Sequence, residues 1–237
     1  MSSMITDIAR PKTVTEAVRG GSAPGAAWLG GGTWLNSGQA GNVTTLVSLE
    51  HLGLDSIHSG QGRCTIGAAA TFQAIADNVH VPAGVRDAVR FTASRTLRNM
   101  VTLGGELGRN PPDSAVIPLL IALEAEIALA GRKKPLPIRK FMDENKAGLI
   151  LSVSFEARQD AAVRAVSRTS HSPRSLVVAM SGARIVASDC TGQVVPLEQS
   201  ETFEPRPDVH ASAEYKRYMT GVLIADLRTA LAKGGGR

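Results

Sequence analysis

Apolar positions along this chain come in short blocks, and their spacing switches repeatedly between two and three-to-four residues. Residues 4–8, 26–29 and 44–48 read as short strands. Residues 14–20 read as a helix, with Thr13 at its N-cap and Glu16 three positions on, the spacing of a capping box. Residues 56–58 and 64–68 form a hairpin around Gly60-Gln61-Gly62. Thr71 caps a helix over 72–79, and 82–94 is a second one with Val85, Val89 and Ala93 near one stripe. The β-prone segment 101–103 runs into Gly104-Gly105 and a loop rich in Gly, Asn and Pro. Helix returns over 116–123, with Pro118 in its first turn. Strands follow at 126–130 and 134–138, then a turn or short helix at 141–144 and a strand at 149–156.

In the last third, 163–168 reads as a strand and 175–184 as either helix or strand. Residues 184–190 and 194–195 are strands around a tip at Gly192-Gln193. Residues 213–233 form an amphipathic helix, with Tyr218, Val222, Ala225 and Leu227 or Leu231 near one face. A change of composition at 157–160 predicts two domains, 1–157 and 158–237. Strands and helices do not alternate regularly, which predicts α+β rather than a doubly wound sheet.

Two glycine stretches stand out. Gly30-Gly31-Gly32-Thr33 follows the strand 26–29 and leads into Trp34-Leu35-Asn36. About seventy residues on, Thr102 precedes Gly104-Gly105-Glu106. Glycines permit positive φ and remove the Cβ atoms that keep a ligand from the backbone. A hydroxyl beside free backbone N–H groups suits a phosphate or pyrophosphate. A lone Gly-Gly is more often a tight turn before a helix. The pair predicts one extended ligand held from two sides. Neither stretch is a Walker loop, and Gly-x-Gly-x-x-Gly does not occur.

Further motifs fall in a fixed order: Arg10-Pro11-Lys12-Thr13 with Glu16-Ala17, Gly30 to Thr33, Gly67-Ala68-Ala69-Ala70-Thr71, Arg98-Asn99 through Thr102 to Gly105, and Leu120-Ile121-Ala122-Leu123-Glu124-Ala125. Across nearly its whole length the chain resembles the FAD-binding middle subunit of the xanthine dehydrogenase and carbon monoxide dehydrogenase family of molybdenum hydroxylases. The resemblance implies a two-lobed α+β domain that clasps FAD, followed by a small α+β domain with a three-stranded antiparallel sheet. It places Gly30, Gly31, Gly32, Thr33, Trp34, Leu35 and Asn36 along one side of the diphosphate, and Thr102, Gly104 and Gly105 along the other. Leu149 or Ile150 would lie near the adenine or the ring system. Trp34 would stack on the flavin or fill a pocket. Arg164 falls where the family often has Lys; an exposed strand charge is the alternative. Arg98 is expected to brace the second loop from beneath. Three positions depart from the family, Trp34 among them, where the family usually has Asp. Glu106 stands for its usual Asn, and the usual Asp of a later segment falls on Ala115: either Asp113, two residues early, replaces it through a shifted loop, or that FAD contact is missing.

Composition narrows the picture. The chain has 237 residues, a net charge of +5 and 4% aromatics. Its densest basic run is Arg132-Lys133-Lys134, so an anionic ligand and partner surfaces are expected rather than nucleic acid. Cys64 and Cys190 are its only cysteines, too few for an iron–sulfur cluster or a four-cysteine zinc site. No signal peptide or long apolar run is evident, which predicts a cytoplasmic protein without a membrane span. The resemblance therefore implies an FAD-dependent oxidoreductase subunit. It would take electrons from a 2Fe-2S subunit beside a molybdopterin-binding large subunit and pass them to NAD or another acceptor. A scaffold subunit that has lost FAD and a stand-alone flavoenzyme of the same fold are the alternatives.

Overall fold

The computed structural model describes residues 5–35, 41–92, 94–143, 148–169, 172–197 and 203–234. Asn36 and Ala93, named above, lie outside them. The chain opens on a small parallel sheet of β1 (Asp7–Ala9), β3 (Thr45–Ser48) and β2 (Ala26–Leu29), in that order. Helix α1 (Val14–Gly21) packs against it. The Thr13 hydroxyl accepts the Glu16 N–H at 3.2 Å, and the Glu16 carboxylate accepts the Lys12 N–H at 2.9 Å. The capping box forms, displaced by one residue on its return arm.

A five-stranded antiparallel sheet follows, in the order β4 (Ile57–Gly60), β5 (Arg63–Gly67), β8 (Ile150–Glu156), β6 (Glu126–Leu129) and β7 (Leu136–Pro137). The β4–β5 tip has positive φ at both Gln61 and Gly62, 52° and 76°, the signature of a type I′ turn. Between strands lie α2 (Phe72–Asp77), α3 (Ala83–Arg90), α4 (Arg95–Arg98), α5 (Leu103–Arg109), α6 (Val116–Ala122) and α7 (Ile138–Asp143). The Thr71 hydroxyl caps α2 through the Ala74 N–H at 3.2 Å.

The last sheet is antiparallel, in the order β12 (Val194–Leu197), β11 (Arg184–Ser188), β10 (Arg174–Ser181) and β9 (Ala161–Ser167). It has four strands, not the three expected. Both of its faces are covered. Val163, Val177, Ala179 and Val186 join the large core that also holds Phe72, Phe141 and Phe155. Leu176, Val178, Met180, Ile185 and Ala187 join Phe203, Leu223 and Leu227 in a second core under α8 (Ala213–Gly234). A strand buried on both faces reads as one apolar run without alternation. That is why 175–184 fitted helix and strand equally. The large core crosses the expected boundary at residue 157, and Gly84 on α3 lies so near β9 that a Cβ would be 2.1 Å from the Ala161 carbonyl oxygen.

Helix α8 turns a different face inward from the one its periodicity predicts. Lys216, Thr220, Leu223 and Leu227 are buried, whereas Tyr218 is 69% and Val222 41% exposed. The Lys216 Nζ donates to the Asp189 carbonyl at 2.7 Å and to the Arg206 carbonyl and Asp208 Oδ2, each at 2.8 Å. Three donors meet three acceptors, so the charge is buried fully satisfied. Two polar residues on the inward stripe disguise it in the sequence.

Candidate functional site

The two glycine stretches meet. A Cβ on Gly31 would lie 1.4 Å from the Met100 carbonyl oxygen, and one on Gly30 would lie 2.7 Å from Thr102 Oγ1. Only bare backbone lets the loop after β2 approach the start of α5 this closely. Gly32 turns the loop with φ of 69°. Together the two stretches line a cavity of about 440 Å³, within the usual range for cofactor sites.

The segment after Val101 corrects one expectation. Leu103–Arg109 is helical, with Thr102 as its N-cap, and Asn110 in the left-handed region ends it. Its first N–H groups are already used. Leu103 donates to Ala70 at 3.0 Å, Gly104 to Ala68 at 2.7 Å, Gly105 to Thr102 Oγ1 at 3.2 Å and Glu106 to the Thr102 carbonyl at 2.9 Å. They do not form the free cradle that the sequence predicts there. Gly104 serves packing instead, since a Cβ would lie 2.9 Å from the Ala68 carbonyl oxygen. The N–H groups of Gly31, Gly32 and Thr33, by contrast, have no partner among the described residues. Among the described residues of the two stretches, the backbone N–H groups free to meet an anion therefore sit on the first. Arg109, three residues along α5 from Glu106, adds a positive charge to the cavity wall.

Gly30, Gly31, Gly32, Thr33, Trp34, Leu35, Thr102, Gly104, Gly105, Glu106, Leu149 and Ile150 all line this cavity. Two expected site residues lie elsewhere. Asp113 is clipped to β10: Arg174 donates to its Oδ2 at 3.2 Å and to its carbonyl, and also to the Phe91 carbonyl at 2.8 Å. Arg164 pairs with Asp226 on α8 at 2.6 Å, the exposed-charge alternative. Arg98 donates to Gln73 at 3.0 Å and to the Thr92 carbonyl at 2.7 Å, beneath the second stretch. The sequence reading missed Arg109, Phe141, Gly148 and Trp28 on the cavity wall. Arg109 is found once 103–109 is read as a helix, because positions three apart then share a face. The Trp28 indole donates to the Ala17 carbonyl at 2.9 Å and packs where a Gly21 Cβ would lie.

Glu106 is the electrostatic anomaly. Burial pushes its carboxyl above the usual range; the Ser114 hydroxyl bond opposes this, Asp113 adds to it, and Arg109 and Arg174 pull it down. Burial likewise pushes the Cys64 thiol up to about 11 and the Cys190 thiol up to about 12. A larger cleft of about 660 Å³, between α6 and the β11–β12 edge, has Arg139, Arg184 and Arg228 on its wall but neither glycine stretch.

A two-lobed α+β fold with free loop amides and a cation around a cofactor-sized cavity defines a site for an anionic, dinucleotide-like ligand. Residues 3–155 match the family described as FAD binding domain in molybdopterin dehydrogenase, and the chain belongs to that family; its cofactor is FAD. Uncharacterized protein YgfM of Escherichia coli (strain K12) is 28% identical over 256 residues, covering 98% of each chain. Carbon monoxide dehydrogenase from Hydrogenophaga pseudoflava matches in fold with a TM-score of 0.82 at 20% identity, over 98% of this chain and 99% of that one. Quinoline 2-oxidoreductase from Pseudomonas putida 86 gives 0.82 at 18% identity, with the same coverage. Among the described residues no helix is long and apolar enough to cross a membrane.

Proposed function

We propose that this chain is the FAD-bearing electron-transfer subunit of a multi-subunit molybdenum hydroxylase, acting in the cytoplasm. The observation that carries the assignment is the row of unpartnered N–H groups at Gly31, Gly32 and Thr33 on the wall shared with Arg109. These donors suit the diphosphate of a dinucleotide. The apolar wall at Leu149, Ile150 and Phe141, with Trp34 at the rim, suits the flat rings. Residues 1–157 form the FAD-binding domain in this assignment, and 158–237 form the second domain. The chemistry supplied by bound FAD is redox, with electrons arriving from a 2Fe-2S partner chain beside a molybdopterin-binding large subunit and leaving to NAD or another acceptor. The chain itself binds, orients and shields. Its two cysteines lie on separate sheets, at β5 and just beyond β11, and are held as thiols; clusters and molybdenum belong to partners.

The test is to purify the chain alone and titrate it with FAD, following flavin fluorescence and thermal unfolding. FAD at about a hundredfold over its dissociation constant should add roughly 2.7 kcal/mol of stability. Dye reduction by NADH, assayed beside oxidation of a panel of heterocycles, should give the first activity and not the second. Identical melts at saturating FAD would favour a scaffold, and heterocycle oxidation by the lone chain would overturn the divided-enzyme assignment.

A further inference from the structure

Among the described residues, Glu106 and Arg109 are the only charged ones on the cavity wall, and the Glu106 carboxyl is wired asymmetrically. The Ser114 hydroxyl accepts the N–H groups of Val116 and Ile117, each at 3.2 Å, at the start of α6. A hydroxyl has one proton and two lone pairs. Both lone pairs are taken, so its proton goes to Glu106 Oε1, 2.6 Å away. Oε1 is thereby fixed as an acceptor. Any proton on the carboxyl must sit on Oε2, which has no partner among the described residues.

The charged groups acting on this carboxyl are Asp113 in the α5–α6 connection, Arg109 on α5 itself and Arg174 on β10; from β5 and β8, which also pack on α5, none is among them. Arg174 is occupied by Asp113 and the Phe91 carbonyl, so it offers Glu106 no direct bond. The carboxyl is left in a glycine-rich wall without an ion pair among the described residues. A half-buried carboxyl without an ion pair takes its neutral form more readily than an exposed one.

We infer that Glu106 is a cofactor-binding residue of the FAD site, working as a neutral acid whose Oε2–H donates to an oxygen of the cofactor diphosphate. Deprotonation converts that donor into a repulsive carboxylate beside the same oxygens, so the residue makes cofactor retention sensitive to pH. This rests on the FAD site proposed above. An amide, donor and acceptor without titration, would do the same work at every pH.

The experiment measures the FAD dissociation constant by flavin fluorescence from about pH 5 to about pH 9 for the whole chain and for Glu106→Gln. Wild-type affinity should fall as pH rises, approaching about tenfold per pH unit once the carboxyl ionises, because one proton is then taken up with each FAD. Glu106→Gln should give a flat profile and bind more tightly than wild type at the alkaline end. A wild-type profile that is flat or rises with pH overturns the proposal and needs no variant; a rise would assign Glu106 as an ionised acceptor for a hydroxyl. A Glu106→Gln profile as steep as wild type overturns it as well. Ser114→Ala removes the bond that steadies the carboxylate, so its fall in affinity should begin at higher pH; an unmoved onset counts against the wiring. No FAD binding by wild type or variant at any pH would overturn the site assignment itself, and this inference with it.

Discussion

Lys216 in the C-terminal region is fully buried and Glu106 in the glycine-rich half is half-buried, and their surroundings differ in kind. Lys216 is fully buried and spends all three donors on Asp189, Arg206 and Asp208. Around it, Asp189 is buried, yet the N–H groups of Arg206, Thr191 and Gln193 hold its carboxyl below the usual range. The Glu106 carboxyl has one hydrogen-bond partner among the described residues, Ser114, and lines a cavity. Saturated burial fixes α8 and the loops beneath it in one arrangement. Unsaturated burial leaves capacity to bind something. Local glycine use divides the same way. Gly84 lets α3 touch β9 inside a packed core, whereas Gly30 and Gly31 bring two stretches together so that they can share a hollow.

The largest test of this contrast is Lys216→Met. It strands two carbonyls and the Asp208 carboxylate, and should lower unfolding free energy by about 3–5 kcal/mol in urea. A loss below about 1 kcal/mol would mean that the network is not the anchor inferred here. Next is Gly31→Ala. An added Cβ would sit 1.4 Å from the Met100 carbonyl oxygen and can be cleared only by separating the loops, so a stability loss of about 1–3 kcal/mol should accompany loss of FAD retention. Gly108→Ala is the matched control: it lines the same cavity with nothing within 4 Å, and should gain up to about 1 kcal/mol while binding FAD normally. Equal damage from both would dissolve the distinction between the two glycines.

Smaller effects sharpen it. The folded pKa of Glu106 is raised, so the folded chain holds its proton in a window where the unfolded chain has released it. The associated stability is fully present below the ordinary glutamate value and is lost as pH rises through the raised folded value. In FAD-free protein, the melting temperature of Glu106→Gln relative to wild type should therefore climb with pH. Asp208 has the opposite sign: burial raises it, but the Lys216 bond and the N–H groups of His210 and Ala211 bring it net below the ordinary value. Its stability is present above the ordinary aspartate value and disappears on acidification. A parallel slope at both sites would break the comparison. The smallest effect belongs to Arg164→Ala, where a surface pair with Asp226 contributes at most about 1 kcal/mol. FAD affinity should not move, and a change there would return Arg164 to the site.

What could be read locally in the sequence came out locally in the structure. Thr13 and Thr71 cap helices because a side-chain oxygen needs only an N–H three residues away. Gly60-Gln61-Gly62 makes a hairpin because its backbone preference is intrinsic. The helix at 103–109 was hidden because three glycines argue against helix on propensity, about 1 kcal/mol each. Packing against Ala68 overrode them. The resemblance to a flavoprotein subunit supplied most of the cavity wall, but it could not place Asp113 or Arg164, whose partners Arg174 and Asp226 lie some sixty residues away.

By itself the sequence determined the caps, the turns, the glycine stretches and a cysteine count incompatible with a cluster of its own, since each depends on residue type and near neighbours. Tertiary structure alone decided the rest. The inward side of α8 was chosen by what lies beneath it: Lys216 could be buried only because two carbonyls and Asp208 from other segments were waiting there, while the Thr220 hydroxyl is satisfied by the Lys216 carbonyl on α8 itself. The free amides stayed at Gly31 to Thr33 because α5 spent its own on Ala68, Ala70 and Thr102. Glu106 became a cavity carboxyl because Ser114, folding back to start α6, left it a single bond. Burial and partnership are long-range properties, set by which segments meet, and no window of neighbouring residues contains them.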